Sequence, residues 1–124
     1  MWPASFFLLN DSLGTISTGN IEVNSDNVTY KWYALAYKNA CTKIVSLHFG
    51  IRLSAFAESV SNSYLLGTLP EGFRPICNVE HACFTNAGSR ILLQILIDGN
   101  IQIVPRTAVT ENDVFVYHDT YLIP

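Results

Sequence analysis

Arg90-Ile91-Leu92-Leu93-Gln94-Ile95-Leu96-Ile97-Asp98-Gly99-Asn100-Ile101-Gln102-Ile103-Val104 is the stretch whose reading decides the fold. Ile91, Leu93, Ile95 and Ile97 recur at every second position, the period at which a β-strand returns a side chain to the same face. Arg90 and Gln94 share the other face with Leu92 and Leu96, so both sides of this strand ask for cover. Asp98-Gly99 is a tight-turn signal, because the turn needs a residue that tolerates positive φ. Ile101-Gln102-Ile103-Val104 is therefore expected to return antiparallel.

The same period extends outward from this hairpin. Val45, Leu47, Phe49, Ile51, Leu53 and Ala55 alternate with Ser46, His48, Gly50, Arg52 and Ser54, which reads as a long strand with one buried and one wetter face. Before it, Tyr30, Trp32, Ala34 and Ala36 alternate with Lys31, Tyr33, Leu35 and Tyr37, placing large apolar groups on both faces. Lys38-Asn39-Ala40 is expected to turn that aromatic strand into the Val45 strand. Weaker strands are expected at 15–23, 78–85 and 114–117, with a turn at 24–27 and a helical turn over 54–61. No longer window carries a 3.6-residue period. The expectation is an all-β chain, an antiparallel β-sandwich or jelly roll.

Composition limits the function classes. The chain has 124 residues and a mass of 13.8 kDa, the size of one domain. Seven Lys and Arg against ten Asp and Glu leave a net charge of -3, so no basic field exists to hold a nucleic-acid backbone. Charged residues make up 14%, against roughly 25% in typical soluble domains, which implies that part of the surface is covered by copies of the chain or by a larger assembly. The apolar run Phe6-Phe7-Leu8-Leu9 has no basic residue before it and ends at Asn10-Asp11, so no secretory signal and no membrane insertion are expected. Cys41, Cys77 and Cys83 cannot all pair within one chain and are expected as buried thiols. Cys77, His81 and Cys83 share parity, but their spacing fits no zinc knuckle and lacks a fourth ligand; no metal and no cofactor are expected.

The stretch Gly67-Thr68-Leu69-Pro70-Glu71-Gly72-Phe73-Arg74-Pro75 is a shaped turn. Pro70 and Pro75 hold the residues before them extended, and Gly72 can take positive φ. Arg74 is expected to bond backbone carbonyls and hold the turn. This "LP-x-G-aromatic-R-P" pattern, with the Ile95 to Ile103 Asp-Gly hairpin and the ending Tyr117-His118-Asp119-Thr120-Tyr121-Leu122-Ile123-Pro124, resembles the C-terminal head domains of bacteriophage tail, tail-fibre and baseplate receptor-binding proteins. The resemblance covers residues 30–124, expected as the head domain; residues 1–29 match nothing in it and are expected as a neck or an extra strand. It implies a homotrimeric β-sandwich head in the virion, at the tip of a tail or in a baseplate, that adsorbs to host surface polysaccharide without chemistry. The alternative it leaves open is a fibre cap or baseplate connector that binds other tail or baseplate proteins and no glycan.

No catalytic motif accompanies it. There is no Gly-x-Ser-x-Gly elbow, no His-Glu-x-x-His and no phosphate-cradling glycine loop, and the acids Glu80, Asp98, Glu111, Asp113 and Asp119 mostly fall in turns where solvated carboxylates are expected. No enzyme is expected. Saccharide binding generally uses a flat aromatic face for the apolar side of a sugar, with planar polar groups for its hydroxyls. Trp32, Tyr33 and Tyr37 on the aromatic strand, with His48 and Arg52 on the polar face of its partner, are one candidate surface. The competing reading puts Trp32 in the core and leaves His48 and Arg52 as a solvated or interprotomer face. Tyr117, His118 and Asp119 are a second candidate cluster, or simply a terminal turn.

Overall fold

A computed structural model describes residues 16–124. The first half of the 1–29 segment, with its Phe6 to Leu9 run, lies outside these residues. The described chain is nine antiparallel strands: β1 (Ile16–Asn20), β2 (Glu22–Val23), β3 (Val28–Asn39), β4 (Ile44–Leu53), β5 (Tyr64–Thr68), β6 (Val79–Phe84), β7 (Arg90–Ile95), β8 (Asn100–Pro105) and β9 (Val114–Leu122). They form two sheets, β1-β3-β4-β9 and β2-β5-β8-β7-β6, packed as a β-sandwich. In the second sheet β6, β7 and β8 are a meander and β5 lies beside β8, the strand order of a Greek key. Residues 16–29 are part of both sheets: β1 pairs with β3, the chain crosses at buried Ile21, and β2 pairs with β5.

Alternation sets the core. Val45, Leu47, Phe49, Ile51 and Leu53 of β4 are buried and face Ile91, Leu93 and Ile95 of β7 and Ile101 and Ile103 of β8 within one cluster. The other face of β7 is partly covered: Leu92 is half-buried, and Gln94 bridges a ladder in which Gln102 Nε2 donates to Gln94 Oε1 (2.7 Å) and Gln94 Nε2 donates to Glu80 Oε1 (2.9 Å). Ile97, expected on the buried face, is exposed because β7 ends at Ile95. The hairpin loop is Ile97-Asp98-Gly99. Gly99 N–H closes on Leu96 O at 2.9 Å, Leu96 N–H meets Asn100 O at 2.9 Å, and Gly99 takes φ 95°, the pattern of a type I turn followed by a left-handed residue.

Two local expectations are corrected. Residues 54–61 hold no helical turn; this stretch carries the chain from β4 to β5, bridged by Phe56 and Val109, with Phe56 buried and stacked on Tyr64 at 4.4 Å. A run crossing between sheets gains more by seating Phe56 in the core than by closing one helical turn. The strand expected at 114–117 runs on to Leu122, because β4 offers it a full antiparallel partner from Arg52 back to Ile44.

The Pro-bounded turn seals one end of the sandwich. Phe73 N–H closes on Pro70 O at 3.2 Å with Gly72 third in the turn at φ 89°, a conformation that strains any side-chain-bearing residue. The turn drives Phe73 into the core, where its carbonyl accepts from Tyr121 Oη at 2.6 Å, and buries Pro75. Arg74 lies against Gly99, and its Nε donates to Leu69 O at 3.4 Å, while Leu69 N–H bonds Gly99 O at 2.8 Å. The turn and the Asp98-Gly99 hairpin thus hold each other.

Candidate functional site

The outer face of the β1-β3-β4-β9 sheet gathers most of the candidate residues. On β4 the outward positions are Ile44, Ser46, His48, Gly50 and Arg52; register places Leu122, Thr120, His118, Val116 and Val114 of β9 beside them in that order. His48 and His118 are direct cross-strand partners, with parallel rings 6.1 Å apart. Tyr37 sits edge-on to His48 at 5.8 Å, and Ser46 Oγ and His48 Nε2 are 2.7 Å apart.

Strict alternation along β3 would send Tyr30 and Trp32 to one face and Tyr33 and Tyr37 to the other. The structure does otherwise. Register shifts between Val28 and Tyr30 and between Lys31 and Tyr33 insert extra residues, so Tyr30 meets Arg52, Tyr33 meets Gly50 and Tyr37 meets Ser46, all outward positions of β4. Trp32, the extra residue of the second bulge, follows them outward: the Arg52 guanidinium lies 5.0 Å from its ring and 5.6 Å from that of Tyr30. Tyr30 and Trp32 meet edge to face at 5.2 Å. All four aromatic rings are exposed, Trp32 at 46%, and only the small Ala34 and Ala36 of this strand's second half point into the core. Gly50 makes the arrangement possible, because a Cβ there would stand 2.9 Å from the Tyr33 ring. The face that results is a rigid, sheet-mounted surface of aromatic rings, a guanidinium and two imidazoles.

Asp119 is on the other side of β9. It is paired with buried Leu47, and its carboxylate reaches the open edge where the two sheets meet: Tyr117 Oη donates to Asp119 Oδ2 at 2.9 Å, and His81 Nε2 of β6 lies 2.8 Å from the same oxygen. Of the second candidate cluster only His118 joins the aromatic face. Tyr117 and Asp119 form an inter-sheet clasp with His81, which sequence reasoning weighed only as a zinc ligand, because the β6 to β9 contact is invisible without the sheet order. Asp113 also departs from expectation: it is buried rather than solvated, accepting from Thr85 Oγ1 and from Ala87 N–H.

The three thiols are not interior. Cys41 and Cys77 are exposed and Cys83 is half-exposed, because the first two fall in turns and the third lies at the β6 edge. Burial first, then the Asp119 carboxylate, push the Cys83 thiol above its ordinary range, so it is poorly suited to act as a nucleophile. Among the described residues no cluster of His, Cys, Asp and Glu is placed to hold a metal ion. An open cleft of about 420 Å³ lies between Glu71, Gly72, Arg74, Pro75, Ile97 and the Ile123-Pro124 end, without an aromatic wall.

The clasp region is expected to respond to alkali. Burial raises the phenols of Tyr117 and Tyr121, with Asp119 adding to both, so the folded chain keeps them protonated where an unfolded chain ionises them. Their folded-state values are raised, as is that of Cys83, so this contribution is fully present below the unfolded values and is lost as pH climbs through and beyond them. The melting temperature should hold between about pH 7 and 8, begin to fall near pH 9 where a free thiol titrates, and fall more steeply above about pH 10, where free phenols titrate. Thermal unfolding across that range checks it, with Tyr121→Phe expected to flatten the alkaline fall; an unchanged slope would mean that ionisation elsewhere drives it.

Compared with known proteins, the chain matches no family model, no curated protein and no solved structure.

Proposed function

We propose that this chain is a non-catalytic, saccharide-binding head domain of a bacteriophage tail tip or baseplate, working in the virion as a jelly-roll-like head in a homotrimer. The observation that carries the reading is the exposed aromatic face: Tyr30, Trp32, Tyr33 and Tyr37 lie on one side of one sheet beside Arg52, His48 and His118. Flat rings accept the C–H face of a sugar, and planar donors bond its hydroxyls. Because the rings stand on paired strands rather than loops, little conformational freedom is lost when a sugar docks. Individual sites of this kind bind weakly, and several copies at a tip would supply avidity.

Self-association is supported by the opposite end of the same face. Ile16, Asn39, Ile44 and Leu122 lie in one register row across all four strands, and its three aliphatic members are 56%, 42% and 56% exposed. An exposed row with three large aliphatic members is commonly covered by another chain. The same row also favours the second reading, a virion connector that binds other tail proteins and no glycan.

The experiment is adsorption of the purified protein to a panel of bacterial surface polysaccharides, with Trp32→Ala as the control and the assembly mass read by light scattering. The saccharide reading expects one or more polysaccharides bound by a species of about three chains. It expects at least a tenfold loss (about 1.4 kcal/mol) in Trp32→Ala with an unchanged melting temperature. Binding to no polysaccharide while the chain still self-associates would favour the connector.

A further inference from the structure

We infer that the saccharide recognised by the aromatic face is anionic, its carboxylate or phosphate held by Arg52 while a sugar ring rests against Trp32; this rests on the saccharide reading of that face. Walking the face by register gives Ile16, Thr18 and Asn20 on β1, then Tyr30, Tyr33, Leu35, Tyr37 and Asn39 on β3. It continues with Ile44, Ser46, His48, Gly50 and Arg52 on β4, and Val114, Val116, His118, Thr120 and Leu122 on β9. No position on it carries a carboxylate. In a chain with ten acids against seven Lys and Arg, the described strands leave this one face with a guanidinium, two imidazoles and no acid.

Arg52 itself points the same way. Among the described residues it forms no ion pair, and its guanidinium donates no hydrogen bond to a protein acceptor. What it does have is aromatic packing, on Trp32 at 5.0 Å and on Tyr30 at 5.6 Å. These ring contacts hold the guanidinium beside Trp32 and Tyr30 and leave its fork of N–H donors for an incoming group. A fork pre-set in this way suits carboxylate or phosphate, whose two oxygens it can bond together. A neutral hydroxyl would use one donor and leave the charge uncompensated. The rings that hold Arg52 are those offered to the sugar, so charge and stacking platform meet at adjacent positions of one ligand.

The test titrates the 124-residue chain, at about 50 mM salt to limit screening, with trigalacturonate, with its neutral counterpart galactotriose, and with galactose 6-phosphate against galactose. The inference expects at least one anionic sugar to bind at least about tenfold tighter than its neutral match, with the advantage shrinking as salt rises. The uronate and phosphate arms identify which anion the site takes. Arg52→Gln should erase the advantage and leave the weak neutral binding in place, while Arg52→Lys, which keeps the charge but not the fork, should retain part of it. Arg52 is exposed, so its variants should keep the wild-type melting temperature. Equal binding of neutral and anionic sugars that still needs Trp32 would overturn the anionic inference and leave the saccharide reading standing. Binding of none of these sugars, together with no adsorption to any surface polysaccharide, would remove both.

Discussion

Phe115→Ala should lower the stability of the chain by about 3 to 5 kcal/mol in urea unfolding. Phe115 is 1% exposed and sits on the inward side of β9 opposite Ile51, with its ring 5.6 Å from Phe49 and 5.8 Å from Tyr117. Truncation removes the apolar area of a whole ring and leaves a hole lined by two other rings, each held by its own strand and poorly able to collapse into the space. A domain of this size holds about 5 to 15 kcal/mol in total, so the variant should stand near the limit of folding. Its neighbour Val116 points the other way, exposed on the aromatic face, and Val116→Ala should change stability by no more than about 0.5 kcal/mol. A loss below about 1 kcal/mol in Phe115→Ala, or comparable losses at the two positions, would show that β9 does not lie on the core as described.

Asp113→Ala should lose about 3 kcal/mol, a large effect for a polar residue in a loop. Asp113 is 6% exposed and ties the hairpin between β6 and β7 to the start of β9: one carboxylate oxygen accepts from the equally buried Thr85 hydroxyl, the other from Ala87 N–H at 3.1 Å. Asn86 N–H adds a bond to Val114 O at 2.9 Å, and Asp113 O receives Leu53 N–H at 2.8 Å. Alanine leaves the Thr85 hydroxyl and the Ala87 amide without the acceptor they were built around, and it is this unmet desolvation that makes the loss large. Asp113→Asn keeps one acceptor for Ala87, and the Thr85 hydroxyl can turn to accept from the new amide, so it should lose less than half as much. Equal small losses in both variants, read from urea midpoints at constant m-value, would mean that the clamp adds nothing to stability.

The pairing of β4 with β3 and of β7 with β8 was legible, because alternation at Val45 to Leu53 leaves one possible buried face, Ile91, Leu93 and Ile95 recur at every second position, and the turns between are marked by Asn39 and Asp98-Gly99. Asn39 does its work locally, its side-chain oxygen accepting from Cys41 N–H at 3.0 Å and Thr42 N–H at 3.1 Å. For Trp32 the sequence left two readings open, a binding surface or the core, and only the structure chose the surface. Parity grouped it with Ala34 and Ala36, which are buried, and only the bulge between Lys31 and Tyr33, which no local signal marks, brings it out beside Tyr33. Asp113 and Asp119 misled for a related reason. Turn acids are usually solvated, and whether a particular one is buried depends on which distant hydroxyl or imidazole arrives beside it.

Two things followed from the order of residues alone: the all-β class, through a period of two sustained across most of the chain, and the shape of the Pro70 to Pro75 turn, through the backbone restrictions of proline and glycine. Both are consequences of local sterics and of side-chain alternation within a single strand. The arrangement of the candidate site was decided by tertiary structure. Placing Arg52 under Trp32, His48 against His118, and His81 against Asp119 requires the register between strands and the order of strands in each sheet. Those are fixed by packing of the whole core, where one residue of slip turns every side chain of a strand to the opposite face.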